Sequence, residues 1–395
     1  MPDTMLLPPM PFTLFINPRA GTPGMVVLPQ AGFRRARASI TAWPDYAPTP
    51  LRDLPALAAL ANVATIRLKD EAGRFGLGSF KALGGAYAVA NLLANAAART
   101  GQPPSEITVT CATDGNHGRA VAWGAQQRGC RCVIFVHTTV SQGRVDAIAA
   151  YGAEIRRVPG TYDDAVRAAD RVARAEGWCV VSDTSWPGYT EIPRDIMQGY
   201  RLMADEAADQ WTGDPPTHVF IQGGVGGVAA AISAHLRARY RPTPALVAPA
   251  LVVVEPDQAA CLLASAELGE PTAVPGDLDT VMAGLACGEP SLLAWQELER
   301  GAAAFMAIPD EAAIATMRML ADQGIVSGES GVAGLAGFLL ATADPAARHS
   351  LGLGPQSRVL AFSTEGATDP ALYETLVGRN AATITTAAAQ PAAAV

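Results

Sequence analysis

The chain reads as an α/β protein of two lobes, built on open, twisted, mainly parallel sheets flanked by helices. Three observations carry this. At 395 residues it is longer than the size at which a single hydrophobic core stops growing. Nearly half of its residues are apolar (49%) and only 17% are charged, which suits a large, well-filled core. Short β-rich runs also alternate with helical stretches almost without a break, the pattern of βαβ units around a parallel sheet.

Taken in order, residues 2–50 form a proline-rich lead that reads as irregular. Strands follow at 64–68, 107–111, 132–136, 154–158, 179–181, 219–221, 251–254 and 359–362. Helical segments at 82–99, 119–128, 163–176 and 228–240 lie between most of them. Pro- and Gly-rich stretches at 101–104, 213–216 and 241–249 mark loops. The tail 381–395, almost wholly Ala, Thr and Pro, reads as disordered.

Charge and composition exclude several classes. A net charge of −8 without a basic cluster argues against nucleic acid. No stretch approaches the roughly 18 apolar residues that span a membrane. The first 15 residues lack a basic n-region and a small-residue cleavage site, so a cytoplasmic enzyme is expected. The six cysteines form no C-x-x-C pair, so no metal site is expected, and most read as small core residues.

Four segments carry chemistry. Residues 218–222 read as a strand and 225–240 as a helix, with Gly223, Gly224, Val225, Gly226 and Gly227 around the junction. Bare amides at a helix N-terminus are a phosphate site. A dinucleotide loop is the other reading, since the next strand ends in Glu255, but G-x-G-x-x-G is not met and the spacing is too long. Lys81 closes the segment Gly76-Leu77-Gly78-Ser79-Phe80-Lys81 and opens onto Ala82-Leu83-Gly84-Gly85-Ala86. Small and apolar flanks are no place for a casual charge, whereas a lysine in covalent linkage loses its ordinary ammonium. Downstream come the polar turn Thr113-Asp114-Gly115-Asn116-His117-Gly118 and the strand end Ser363-Thr364-Glu365-Gly366.

In this order and spacing the segments resemble fold-type II pyridoxal phosphate (PLP) enzymes, the superfamily of serine/threonine dehydratases and the tryptophan synthase β chain. Within it they resemble most the diaminopropionate ammonia-lyases, from about Tyr46 to about Asp369. The resemblance implies a small lobe (84–198) inserted in a large PLP-binding lobe (1–83 and 199–395). It makes Lys81 the Schiff-base lysine, the glycine loop the phosphate cradle, Asn116 the partner of the ring's phenolic oxygen and Thr364, rather than Ser363, the partner of the pyridine nitrogen. The turn Thr113, Asp114, Gly115 and His117 then binds substrate, the amides flanking Asn116 holding its carboxylate, with His117 in a structural rather than basic role.

Two aspartates separate this chain from the dehydratases. Asp114 stands where many of them carry serine, and a carboxylate there suits a substrate with an extra ammonium. Asp183 lies in Ser182-Asp183-Thr184-Ser185-Trp186-Pro187-Gly188-Tyr189, which resembles the D-T-x-W-x-G-Y run of the lyases. With Lys81 they are the catalytic candidates, and carboxylates in two segments suit both D and L substrates. Cys261 and Cys287 each lie in a segment resembling the lyases, which suggests a bridge between them. The segment 137–144 departs from the family by lacking a proline-lysine opening. The expected reaction is α,β-elimination of 2,3-diaminopropionate to pyruvate and two ammonia, by a homodimer. Dehydration of serine, threonine or hydroxyaspartate, β-replacement, and a non-catalytic PLP- or nucleotide-binding protein are the alternatives.

Overall fold

The computed structural model describes residues 7–22, 24–113, 115–240 and 248–384. Eleven strands among these residues form two sheets. They are β1 (Thr13–Ile16), β2 (Leu51–Asp53), β3 (Thr65–Asp70), β4 (Thr108–Ala112), β5 (Arg131–His137), β6 (Glu154–Val158), β7 (Cys179–Val180), β8 (His218–Gln222), β9 (Ala250–Pro256), β10 (Ala304–Ile308) and β11 (Arg358–Ser363). The larger sheet runs β1-β10-β9-β8-β11-β3-β2 and the smaller β6-β5-β4-β7. The smaller sheet is wholly parallel. The larger is parallel except at its two edges, where β1 and β2 pair antiparallel. All four strands of the smaller sheet fall within residues 108–180, while the larger takes strands from both sides of that stretch.

The eight expected strands all form. Two expectations are corrected. The lead is not irregular throughout: it contributes β1 and the helix Gln30–Ile40, which buries Phe33, Ala36 and Ile40. The tail expected to be disordered begins with a helical turn at 381–384 that buries Ile384. Its remainder, 385–395, lies outside the described residues, as does most of the loop expected at 241–249. No helix among the described residues is long and apolar enough to cross a membrane.

The core sits on both faces of the larger sheet. Strands β8, β9 and β10 are buried almost throughout, as parallel strands covered by helices on each side must be. Several of the buried charges are paired. Lys69 on β3 and Arg74 just beyond it both bond Glu206, and Arg74 also bonds Glu71. This network ties the segment leading to Lys81 to the helix Glu191–Gln210. Breaking one partner of such a cluster would leave a buried charge uncompensated.

Candidate active site

A cleft of about 830 Å³ opens between the two sheets. Its lining comes from the carboxyl ends of four strands, where open α/β sheets bind ligands. β4 ends into Thr113, β7 leads to Asp183, β8 into Gly223 and β11 into Thr364.

Lys81 lies in the short turn Phe80–Leu83, which is fixed from two sides. The Phe80 N–H donates to Thr364 O at 3.0 Å. Opposite, the helix Glu191–Gln210 crosses so closely that a Cβ on Gly199 would lie 1.8 Å from the Leu83 carbonyl oxygen. Only glycine allows that approach. The Lys81 Nζ donates to Asp183 Oδ2 at 2.6 Å and lies 5.8 Å from the centre of the Tyr200 ring. Burial alone would lower the Lys81 pKa, but the Asp183 carboxylate overrides it and holds the ammonium above its ordinary value. Burial likewise disfavours charge on Asp183, yet the neighbouring His117 and Lys81 together hold its carboxyl well below the usual carboxylate range. Asp183 Oδ1 also accepts from the Tyr162 hydroxyl at 3.3 Å.

His117 completes this corner. Its Nε2 meets the Val181 carbonyl at 2.7 Å and must donate to it, so the ring presents a bare Nδ1, 3.8 Å from Asp183 Oδ2. Burial lowers the His117 pKa and keeps the ring neutral. Thr113 Oγ1 accepts from the amides of Gly115 and Gly118, at 2.9 and 3.0 Å, so it braces the turn from inside. That occupies two of the turn's amides; among the described residues no acceptor meets those of Asn116 and His117. The Asn116 Nδ2 donates to Glu365 Oε2. Asp114 lies outside the described residues.

The glycine loop joins β8 to the helix Gly227–Arg239. Gly223 and Gly226 N–H are used, donating to Val254 O and Gly223 O. Among the described residues no acceptor meets the Gly224 or Val225 amide, and the first-turn amides of the helix have none within the helix. Gly226 sits at φ +94°, where a side chain is strained. The positive end of the helix dipole adds to these bare donors, making an anion cradle. Glu255, the acid of the dinucleotide reading, is turned to another use. It is fully buried and accepts the amides of Leu262 and Leu263 at 2.9 and 2.8 Å. Burial pushes its carboxyl up to about 8.

At the end of β11, Thr364 lines the cleft and its Oγ1 accepts from Gln222 Nε2. Ser363 instead meets Ser327 Oγ at 2.6 Å in the interior. Cys261 is a free thiol whose Sγ lies 3.8 Å from Gly224 O, so the bridge to Cys287 that the resemblance suggested is absent. Tyr200, Tyr162, Arg144 and Glu365 also line the cleft and were not singled out from sequence. Glu365 directly follows Thr364 at a strand end, where an acid in an otherwise apolar run was the available signal.

This fold and cleft define a pyridoxal-phosphate dependent enzyme, and the family model of that description matches residues 42–365. The diaminopropionate ammonia-lyase of Escherichia coli K12 is 44% identical over 353 residues, 84% of this chain and 87% of that protein. The one from Salmonella typhimurium is 40% identical over 369 residues, covering 86% and 90%. A solved structure of the Escherichia coli enzyme in complex with an aminoacrylate-PLP azomethine reaction intermediate superposes with a TM-score of 0.85. It is 39% identical and covers 93% of this chain and 97% of that one. The chain belongs to the diaminopropionate ammonia-lyase family. The groups on the cleft wall fit its cofactor: a lysine amine, a cradle of bare amides for a phosphate, and a hydroxyl at Thr364 for a ring nitrogen.

Proposed function

We propose that this cleft eliminates ammonia from 2,3-diaminopropionate, yielding pyruvate and two ammonia, on both D and L isomers. The observation that carries the reading is the Lys81–Asp183 pair at 2.6 Å beside the glycine cradle, in a chain 44% identical to a lyase of that name. Bound here, pyridoxal phosphate supplies the electron sink that lets the Cα proton leave.

The chain's own groups do the rest. The bare amides of Gly224, Val225 and the first turn of the helix from Gly227 would hold the phosphate, Asn116 would meet the phenolic oxygen and Thr364 the pyridine nitrogen. A neutral hydroxyl at that nitrogen leaves it largely unprotonated, which suits elimination over transamination. The free amides of the turn hold the substrate carboxylate. Asp183 is an anion already in contact with Lys81, placed to take a proton that Lys81 gives up or to return it. Asp114 and Asp183, carboxylates from two different segments, between them serve the D and L isomers, and Asp114 manages the proton of the departing amine. In this reading residues 84–198 form the small lobe and the remainder the large one. A cytoplasmic homodimer is part of the same reading, supported by the resemblance, and light scattering of the purified protein checks its mass.

The test is pyruvate and ammonia release from D- and L-diaminopropionate, with D- and L-serine alongside, after supplementing with PLP. Two ammonia per pyruvate from the diamino acids is expected. Turnover of serine alone would overturn the reading in favour of a dehydratase.

A further inference from the structure

Glu365 follows Thr364 at the end of β11 and has no part in the chemistry above. It is 4% exposed, so protein groups must satisfy its carboxylate. Three stretches of chain meet there. Its backbone bridges to Ser79, two residues before Lys81, and Gly366 N–H donates to Gly78 O at 2.9 Å. On the side chain, Oε1 accepts the Ser330 N–H at 3.0 Å. Oε2 accepts from Nδ2 of Asn116, the first residue of a helix that follows β4 of the smaller sheet. Glycine keeps the space open: a Cβ on Gly328 would lie 2.9 Å from the Glu365 Cγ, and one on Gly331 2.9 Å from its backbone nitrogen.

A primary amide is nearly symmetric in shape but not in chemistry, since one end donates and the other accepts. A carboxylate only accepts. Against Glu365 the Asn116 amide therefore has one satisfied orientation, with its nitrogen toward the acid. One N–H is used there and the second remains for the cleft that Asn116 lines. We propose that Glu365 is a positioning residue, which fixes the Asn116 amide so that it offers an N–H to the cofactor's phenolic oxygen and ties that orientation to the Lys81 loop. The proposal rests on the assignment of Asn116 to that oxygen made above.

Glu365→Gln keeps the shape and removes one acceptor. If its remaining oxygen stays on Ser330 N–H, its NH₂ confronts the Asn116 NH₂, and the Asn116 amide must turn over. The experiment measures the PLP dissociation constant and the visible absorbance band of the bound cofactor in wild type, E365Q, N116A and the double variant. E365Q is expected to raise the dissociation constant about 10- to 100-fold, the factor associated with losing one hydrogen bond to a charged group, and to shift the band. The double variant is expected to lose no more than N116A alone, because Glu365 acts through Asn116. Additive losses, or an unchanged constant and band in E365Q, overturn the proposal. Should E365Q fail to fold, Glu365→Asp carries the test, since its carboxylate falls short of Asn116 and an unchanged dissociation constant there overturns it equally. The wild-type arm separates this from the functional reading: a wild type that takes up no PLP sinks that reading and this proposal with it. Normal wild-type uptake with an indifferent E365Q sinks this proposal alone.

Discussion

Asp183→Asn is the most informative single change, because Asp183 is the carboxylate that meets the Lys81 ammonium, at 2.6 Å. In the cofactor-free protein, both pKa shifts act in the same direction on stability. Lys81 is held above its ordinary value of about 10.4, so its contribution is complete below that and lost as pH rises through the folded value. Asp183 is held below its ordinary value of about 3.9, so its contribution is present above that and lost as pH falls through the folded value. Across neutral pH the pair therefore contributes a flat amount. With asparagine in place, burial is left as the main influence on Lys81 and lowers its pKa. The folded state then sheds a proton that the unfolded state keeps, and the variant gains stability as pH rises toward about 10. The loss at pH 6 is expected to be about 3 kcal/mol, the low end for breaking a buried pair, because the Lys81 side chain keeps 22% of its exposure. Denaturant unfolding of cofactor-free wild type and variant between pH 6 and pH 9 measures it. Neutral amine is also the nucleophile, so the variant should take up PLP faster at pH 7 while losing turnover. A deficit that is constant with pH, or absent, would refute the assignment of Asp183 as the counter-ion.

Three further outcomes follow from the geometry. Gly199→Ala should cost about 1–3 kcal/mol of stability by overpacking, despite the better helix propensity of alanine, and should weaken PLP uptake by displacing the Lys81 turn. Thermal unfolding and cofactor titration check both, and a more stable variant with normal uptake would contradict the 1.8 Å approach. Gly226→Ala, at φ +94° and with its Cβ 3.0 Å from that of Ala294, should raise the PLP dissociation constant more than it lowers the melting temperature. Glu255 has its pKa raised to about 8, so the folded state holds a proton that the unfolded state releases, and this residue makes stability fall as pH rises from about 4.3 to 8. Glu255→Gln should flatten that slope in a pH series of denaturant curves.

Much of the fold was legible because it is written in local pattern. Strands such as β5 and β8 are short apolar runs bounded by turn residues, and each was placed within about two residues of its observed ends. β10 was missed. Its sequence Ala-Phe-Met-Ala-Ile is buried on both faces and carries neither alternation nor β-branched residues until its end. β1 was missed for a related reason: it lies in a proline-flanked lead and is a strand only because β10 is there to pair with it. Thr364 lines the cleft while Ser363 meets Ser327 in the interior, since neighbours on a strand end point to opposite sides.

What the sequence determined by itself was the alternation of strands and helices, the glycine loop, and a lysine set among small residues, because each is a property of a few consecutive positions. The tertiary structure alone decided which groups meet. Lys81 finds Asp183 across 102 positions of chain and Asn116 finds Glu365 across 249. The pKa of Lys81 stands high rather than low for the same reason. Burial and the counter-charge oppose one another there, and only the folded geometry, by placing the carboxylate at 2.6 Å, sets which one prevails.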